Sequence, residues 1–160
     1  MVDYSRVALL AFDIDGTLTD ATTWWTGETT GWVQRYSVRD GEAIVRMRDR
    51  LPVLPLSRNM TASARERITL LKLDARWLGV VNKLEALPQI CREYAITPEQ
   101  ICFVGDGIED ADIFAQVGLG CAVADAHPRA LAAAHLVLDA RGGDRVMEEL
   151  ELRLFERRPT

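Results

Sequence analysis

The chain is short of the residues that build most redox, zinc and nucleophilic sites. Its 160 residues hold three cysteines and two histidines. Cys91, Cys102 and Cys121 are odd in number, share no CxxC spacing and sit among apolar neighbours. That speaks against a disulfide framework or a zinc site and predicts buried, reduced thiols. His127 and His135 have no acid or cysteine partners at metal-ligand spacing, so both read as structural. No Ser/His/Asp triad pattern, P-loop or zinc signature occurs.

Long apolar runs are missing too. Nothing approaches the ~20 residues that span a bilayer, and the run Val7–Phe12 is too short for a signal peptide and ends in acids. The expectation is a cytoplasmic protein without membrane contact. Basic charge is not in excess, because the formal net charge is -5; nucleic acid is therefore not an expected partner. The short clusters Arg46–Arg50 and Arg157–Arg158 read as solvated helix faces or a frayed terminus. With no repeat, low-complexity tract or linker, one domain over residues 1–160 is expected.

What is present is 48% hydrophobic and 27% charged residues, enough apolar material for a core without staples. Short uninterrupted apolar runs predict strands at Val7–Asp13, Val53–Leu56, Ala75–Leu78, Ile101–Val104, Leu119–Val123 and Leu136–Leu138. Helical patterning predicts helices at Gly41–Arg50, Ala62–Leu71, Lys83–Tyr94, Asp110–Val117, Pro128–Ala134 and Asp144–Phe155. This alternation predicts an α/β fold, a three-layer sandwich around a doubly wound parallel sheet. Ligands then bind beyond the carboxyl ends of the strands. One stretch, about 21–38, breaks the alternation. Rich in Trp, Thr and Val around Gly27 and Gly31, it predicts an inserted β-hairpin. Trp24, Trp25 and Trp32 need cover, from the chain's own domain or, as interface preferences favour, from a neighbouring subunit.

Chemistry concentrates at two strand ends. Phe12-Asp13-Ile14-Asp15-Gly16 places two acids at the end of a buried strand, where a cation would compensate them. Gly16 permits a sharp turn there. Gly105-Asp106-Gly107-Ile108-Glu109-Asp110 follows another apolar strand and adds Asp106 and Asp110, completing a carboxylate cluster suited to a divalent cation.

Together these segments resemble the haloacid dehalogenase superfamily of phosphatases, and the resemblance spans nearly the whole chain. It implies Asp13 as nucleophile, Asp15 as general acid/base, Ser57 as the phosphate-binding hydroxyl and Lys83 as the lysine of the array. It further implies a Mg²⁺ site drawn from Asp13, Asp15, Asp106 and Asp110. A carboxylate nucleophile splits hydrolysis into two steps through an aspartyl-phosphate, and Mg²⁺ with Lys83 would screen its charge. The stretches between motifs leave no room for a cap domain.

Val38-Arg-Asp-Gly41, Gly79-Val-Val-Asn-Lys-Leu84, Val123-Ala-Asp-Ala-His-Pro128 and Gly142-Gly143 are similar to a capless branch. That branch holds the 3-deoxy-D-manno-octulosonate 8-phosphate phosphatases, with relatives acting on nonulosonate 9-phosphates and a phosphatase-like domain of acylneuraminate cytidylyltransferases. The resemblance implies a homotetramer, an acidic sugar phosphate as substrate, and Arg39, Asp40 and Arg58 near it. Two places depart: Ser57-Arg58-Asn59 stands for Thr-Gly-Arg, and Glu148 stands where an arginine is usual. The departures leave open a phosphatase for another small phosphate monoester. A silent oligomerisation module associated with a cytidylyltransferase is the other alternative.

Overall fold

The computed structural model describes residues 3–155. Five parallel strands form one sheet: β1 Leu9–Phe12, β4 Val53–Pro55, β5 Ile101–Gly105, β6 Leu119–Ala122 and β7 Leu136–Val137. Their spatial order is β4-β1-β5-β6-β7, so the chain starts near the middle and winds outward both ways. β1 and β5 are buried along their whole lengths, as their unbroken apolar runs require of strands covered on both faces. Register sets Phe12 opposite Pro55 on one side and Val104 on the other, which aligns the ends of the three strands.

Helices cover the sheet. α1 Val38–Arg48 packs on α6 Val146–Phe155, and α3 Lys83–Tyr94, α4 Ile108–Phe114 and α5 Pro128–Ala133 pack in succession. α2 Ala62–Leu70 follows β4. Local caps fix where these helices begin. Ser37 accepts from the Asp40 amide, Thr61 from that of Ala64, and Asn82 from those of Leu84 and Glu85. The Ser37 cap explains why α1 starts at Val38 rather than at Gly41. Phe103 and Phe114 meet inside with ring centroids 6.1 Å apart. Each fully buried side chain of this size contributes about 1.5–3 kcal/mol.

The structure corrects the expected strand at Ala75–Leu78. Residues Ala75–Trp77 form a 3₁₀ turn, because the Asp74 carboxylate caps the Arg76 amide at 3.0 Å. Only Leu78 reaches the sheet, through a single parallel bridge to Ser57. The inserted hairpin is present but short: β2 Trp24–Trp25 pairs antiparallel with β3 Trp32–Val33. Cys102 and Cys121 are buried free thiols, while Cys91, on α3, is partly exposed. No described helix is long and apolar enough to cross a membrane. Arg157 and Arg158 lie outside the described residues.

Candidate active site

The sheet delivers Asp13 and Asp106 to adjacent strand ends. Asp13 follows β1, with its amide donating to the Val104 carbonyl at 2.9 Å, and Asp106 follows β5. The turn after Asp13 closes when the Thr19 amide donates to the Ile14 carbonyl at 3.0 Å. Within it Gly16 takes φ +81°, and a Cβ there would lie 2.1 Å from Asp106 Oδ2. Glycine is therefore required for both conformation and closeness. Gly142 and Gly143 serve the same turn from behind: a Cβ on Gly142 would meet the Gly16 carbonyl at 2.0 Å, and the Gly143 amide donates to Thr17 O.

Asp110 sits in the first turn of α4 and folds back. Its Oδ2 accepts from the Asp106 and Gly107 amides at 3.0 and 2.9 Å, while Oδ1 receives Lys83 Nζ at 2.6 Å. The ammonium also lies 3.1 Å from Asp13 Oδ1. Lys83 is the first residue of α3, set there by the Asn82 cap. Ser57, just beyond β4, is 1% exposed; its hydroxyl accepts from the Asn59 amide at 3.2 Å and helps to draw the Asp13 carboxyl down. Its backbone is pinned by Ser57 N to Trp77 O at 3.2 Å and Val80 N to Ser57 O at 3.0 Å. Five of the expected residues thus converge: Asp13, Ser57, Lys83, Asp106 and Asp110.

Among the described residues, carboxylate oxygens of Asp13, Asp106 and Asp110 lie within 4.8 Å of one another. Three acids face one ammonium, and burial with this crowding of charge raises two of them. Burial pushes Asp13 up to about 6, against the opposing pull of Lys83. Burial, then repulsion from Asp13 and Asp110, pushes Asp106 up to about 7. Burial would lower Lys83, but the Asp13 and Asp110 carboxylates outweigh it and hold the ammonium charged. A divalent cation would cancel the two surplus negative charges, and an all-oxygen donor set suits Mg²⁺. The site fits such an ion.

The other expected residues are placed differently. The Asp15 side chain stands outside the carboxylate cluster; it is exposed and accepts from Asn59 Nδ2 at 3.0 Å and from Gln34 Nε2. Asp40 is fully buried, and its Oδ1 accepts from the Met147 and Glu148 amides at 2.8 and 3.3 Å. It caps α6 and does not open onto solvent. Arg39 pairs with Glu148 at 3.5 Å on the surface. Arg58 pairs with Glu109 at 2.7 Å. A cleft of about 590 Å³ opens beside Asp15, between the hairpin and the loop after β4. Arg58, Asn59, Gln34 and Trp32 line it; Arg39 and Asp40 do not. Gln34 was not legible beforehand, since a lone glutamine after a hairpin carries no spacing signal. The Nδ1 atoms of His127 and His135 accept backbone amides of Arg129 and Gly120, which is a structural use.

Known proteins resemble the chain along most of its length. Residues 78–150 match the haloacid dehalogenase-like hydrolase family. The 3-deoxy-D-manno-octulosonate 8-phosphate phosphatase of Salmonella typhi is 30% identical over 151 residues, 94% of this chain and 80% of that protein. The crystal structure of the corresponding Yersinia pestis phosphatase superposes with a TM-score of 0.88 at 28% identity, over 96% of this chain and 83% of the other. A cobalt-bound deoxy-D-mannose-octulosonate 8-phosphate phosphatase from Haemophilus influenzae gives 0.86 at 28% identity, over 96% and 90%. With that identity over most of its length and a convergent acidic site at the expected strand ends, the chain belongs to the haloacid dehalogenase-like hydrolases and is a phosphoric monoester hydrolase.

Proposed function

We propose that the protein is a Mg²⁺-dependent phosphatase that hydrolyses the phosphate monoester of an acidic sugar through an aspartyl-phosphate on Asp13. The 3-deoxy-octulosonate 8-phosphate or nonulosonate 9-phosphate type is the substrate class. The observation that carries this reading is the convergence of Asp13, Lys83, Asp106 and Asp110 at the ends of two neighbouring strands. The sugar class rests on 30% identity to an octulosonate phosphatase and on likeness to a cobalt-bound one.

Asp13, Asp106 and Asp110 would hold the ion. When bound, it supplies the positive charge that lets a carboxylate approach a phosphate dianion. An Asp13 oxygen attacks phosphorus while Lys83 and the Ser57 hydroxyl hold the phosphoryl oxygens. Asp15 protonates the leaving alkoxide and then takes a proton from the attacking water, a contribution of roughly 10²–10⁴-fold. Arg58, which lines the cleft, would exchange its surface partner Glu109 for the substrate's acid group.

The Trp-bearing hairpin supports a homotetramer in which a neighbouring subunit covers the cleft. Trp24, Trp25 and Trp32 are 49%, 55% and 49% exposed, an apolar load that an isolated chain would leave in water. A single domain in the cytoplasm is consistent with three free cysteines.

A second reading, a phosphatase for another small phosphate monoester, is favoured by one observation. Arg39, expected near the substrate, does not line the cleft beside Asp15. A panel of sugar and other small phosphates, assayed with Mg²⁺, decides between them. Preference for octulosonate 8-phosphate or a nonulosonate 9-phosphate upholds the first reading, and preference for a neutral ester upholds the second. A folded protein inert on the whole panel would be the silent oligomerisation module.

A further inference from the structure

Resting on the phosphatase reading, we propose that Gln34 and Asn59 are positioning residues that hold one oxygen of Asp15 so that its other oxygen faces the leaving group. Both side-chain amides donate to the same atom, Oδ1: Asn59 Nδ2 at 3.0 Å and, beside it, Gln34 Nε2. Oδ2 takes neither of them.

The direction of this network follows from its far end. The Thr61 amide can only donate, and it donates to Asn59 Oδ1 at 2.9 Å, joined by the Thr61 hydroxyl at 2.8 Å. Asn59 must then turn its NH₂ toward Asp15 and toward Gln34 Oε1, the latter at 2.9 Å. Gln34 Oε1 also receives the Tyr36 hydroxyl at 3.2 Å, so its own NH₂ is left for Asp15. Every amide has one orientation that satisfies all partners, and that orientation presents N–H groups to Oδ1. A proton cannot sit on an oxygen that two N–H groups face. The proton in transit therefore travels on Oδ2.

The clamp also ties together two elements far apart in sequence. Gln34 leaves β3 and its amide donates to Ser63 Oγ in α2 at 3.3 Å, while Asn59 belongs to the loop after β4. Asp15, Gln34 and Asn59 share the wall of the cleft, where a leaving alcohol would lie. In the first step an Asp13 oxygen bonds to phosphorus as the bond from phosphorus to the alcohol oxygen breaks, and that oxygen takes the proton from Oδ2. In the second, water attacks phosphorus, its proton passes to Oδ2, the bond to Asp13 breaks, and inorganic phosphate leaves.

Leaving-group dependence tests this. The kcat/KM of Gln34→Ala, Asn59→Ala and Asp15→Asn is measured on the sugar phosphate turned over fastest and on p-nitrophenyl phosphate, whose leaving group needs no proton. Gln34→Ala and Asn59→Ala should each lose ~10–100-fold on the sugar phosphate and less than ~3-fold on the aryl ester. Asp15→Asn should give the same split, larger, at roughly 10²–10⁴-fold. Variants from two separate elements guard against one that does not fold. Equal losses on both substrates, or no loss on either, would overturn the clamp while an Asp15→Asn split keeps the acid role intact. If Asp15→Asn itself treats both substrates alike, the acid role and the clamp fall together.

Discussion

Asp13, Ser57, Lys83 and Asp110 are 9%, 1%, 6% and 1% exposed, whereas the Arg39 and Arg58 side chains stand 65% and 57% exposed. The first group hangs from strand ends and helix starts that the core holds in place. The second group sits in surface ion pairs, each worth about 0–1 kcal/mol and readily exchanged for a ligand. The floor of the site is therefore rigid and charged at a cost that folding must cover, while the rim is cheap to rearrange. In the proposed mechanism the chemistry belongs to the floor and selectivity to the rim, so one fold could keep its reaction while its substrate changes.

The sharpest way to break that division is at its centre. Asp13→Asn should lower turnover by ~10⁴-fold or more, while circular dichroism and melting report an intact fold that is no less stable without metal. An active Asp13→Asn protein would remove the nucleophile assignment. Next in size is the coupling between metal and pH. Asp13 and Asp106 are raised from 3.8 to about 6 and about 7 in the folded chain. Between about pH 4 and 7 the metal-free fold keeps protons that the unfolded chain has lost, so these two groups make stability fall as pH rises. Mg²⁺ needs the ionised carboxylates. The rise in Tm on adding Mg²⁺ should be small at pH 5 and reach its full size by pH 8; a pH-independent rise would place the ion elsewhere. The smallest effect on the chemistry belongs to the rim. Replacing Trp24, Trp25 and Trp32 by serine should shrink the assembly in sedimentation and leave p-nitrophenyl phosphate hydrolysis within ~10-fold. An unchanged assembly would show that the hairpin is not the interface.

Legibility followed the same line between floor and rim. Asp13 and Asp106 could be paired in advance because each ends an unbroken apolar run, and parallel neighbours align their ends. Asp15 could be singled out but not aimed: its backbone follows the strand end, while its side chain turns to Asn59 and Gln34. Asp40 resembled a substrate contact in Val38-Arg-Asp-Gly41, yet it is a buried cap on a helix more than a hundred residues later in the chain. The apolar content of Ala75–Leu78 matched a strand, but one carboxylate, Asp74, tipped it into a turn.

By itself the sequence determined the alternation of strands and helices, the turn at Gly16 and the acids that end the central strands. These depend on apolar periodicity and on neighbours only a few residues away. Only the tertiary structure decided which oxygen of Asp15 is held, that Asp40 closes α6, that Glu148 engages Arg39, and that Gln34 belongs to the site at all. Those outcomes depend on side-chain directions across long sequence separations, where no local pattern encodes the partner.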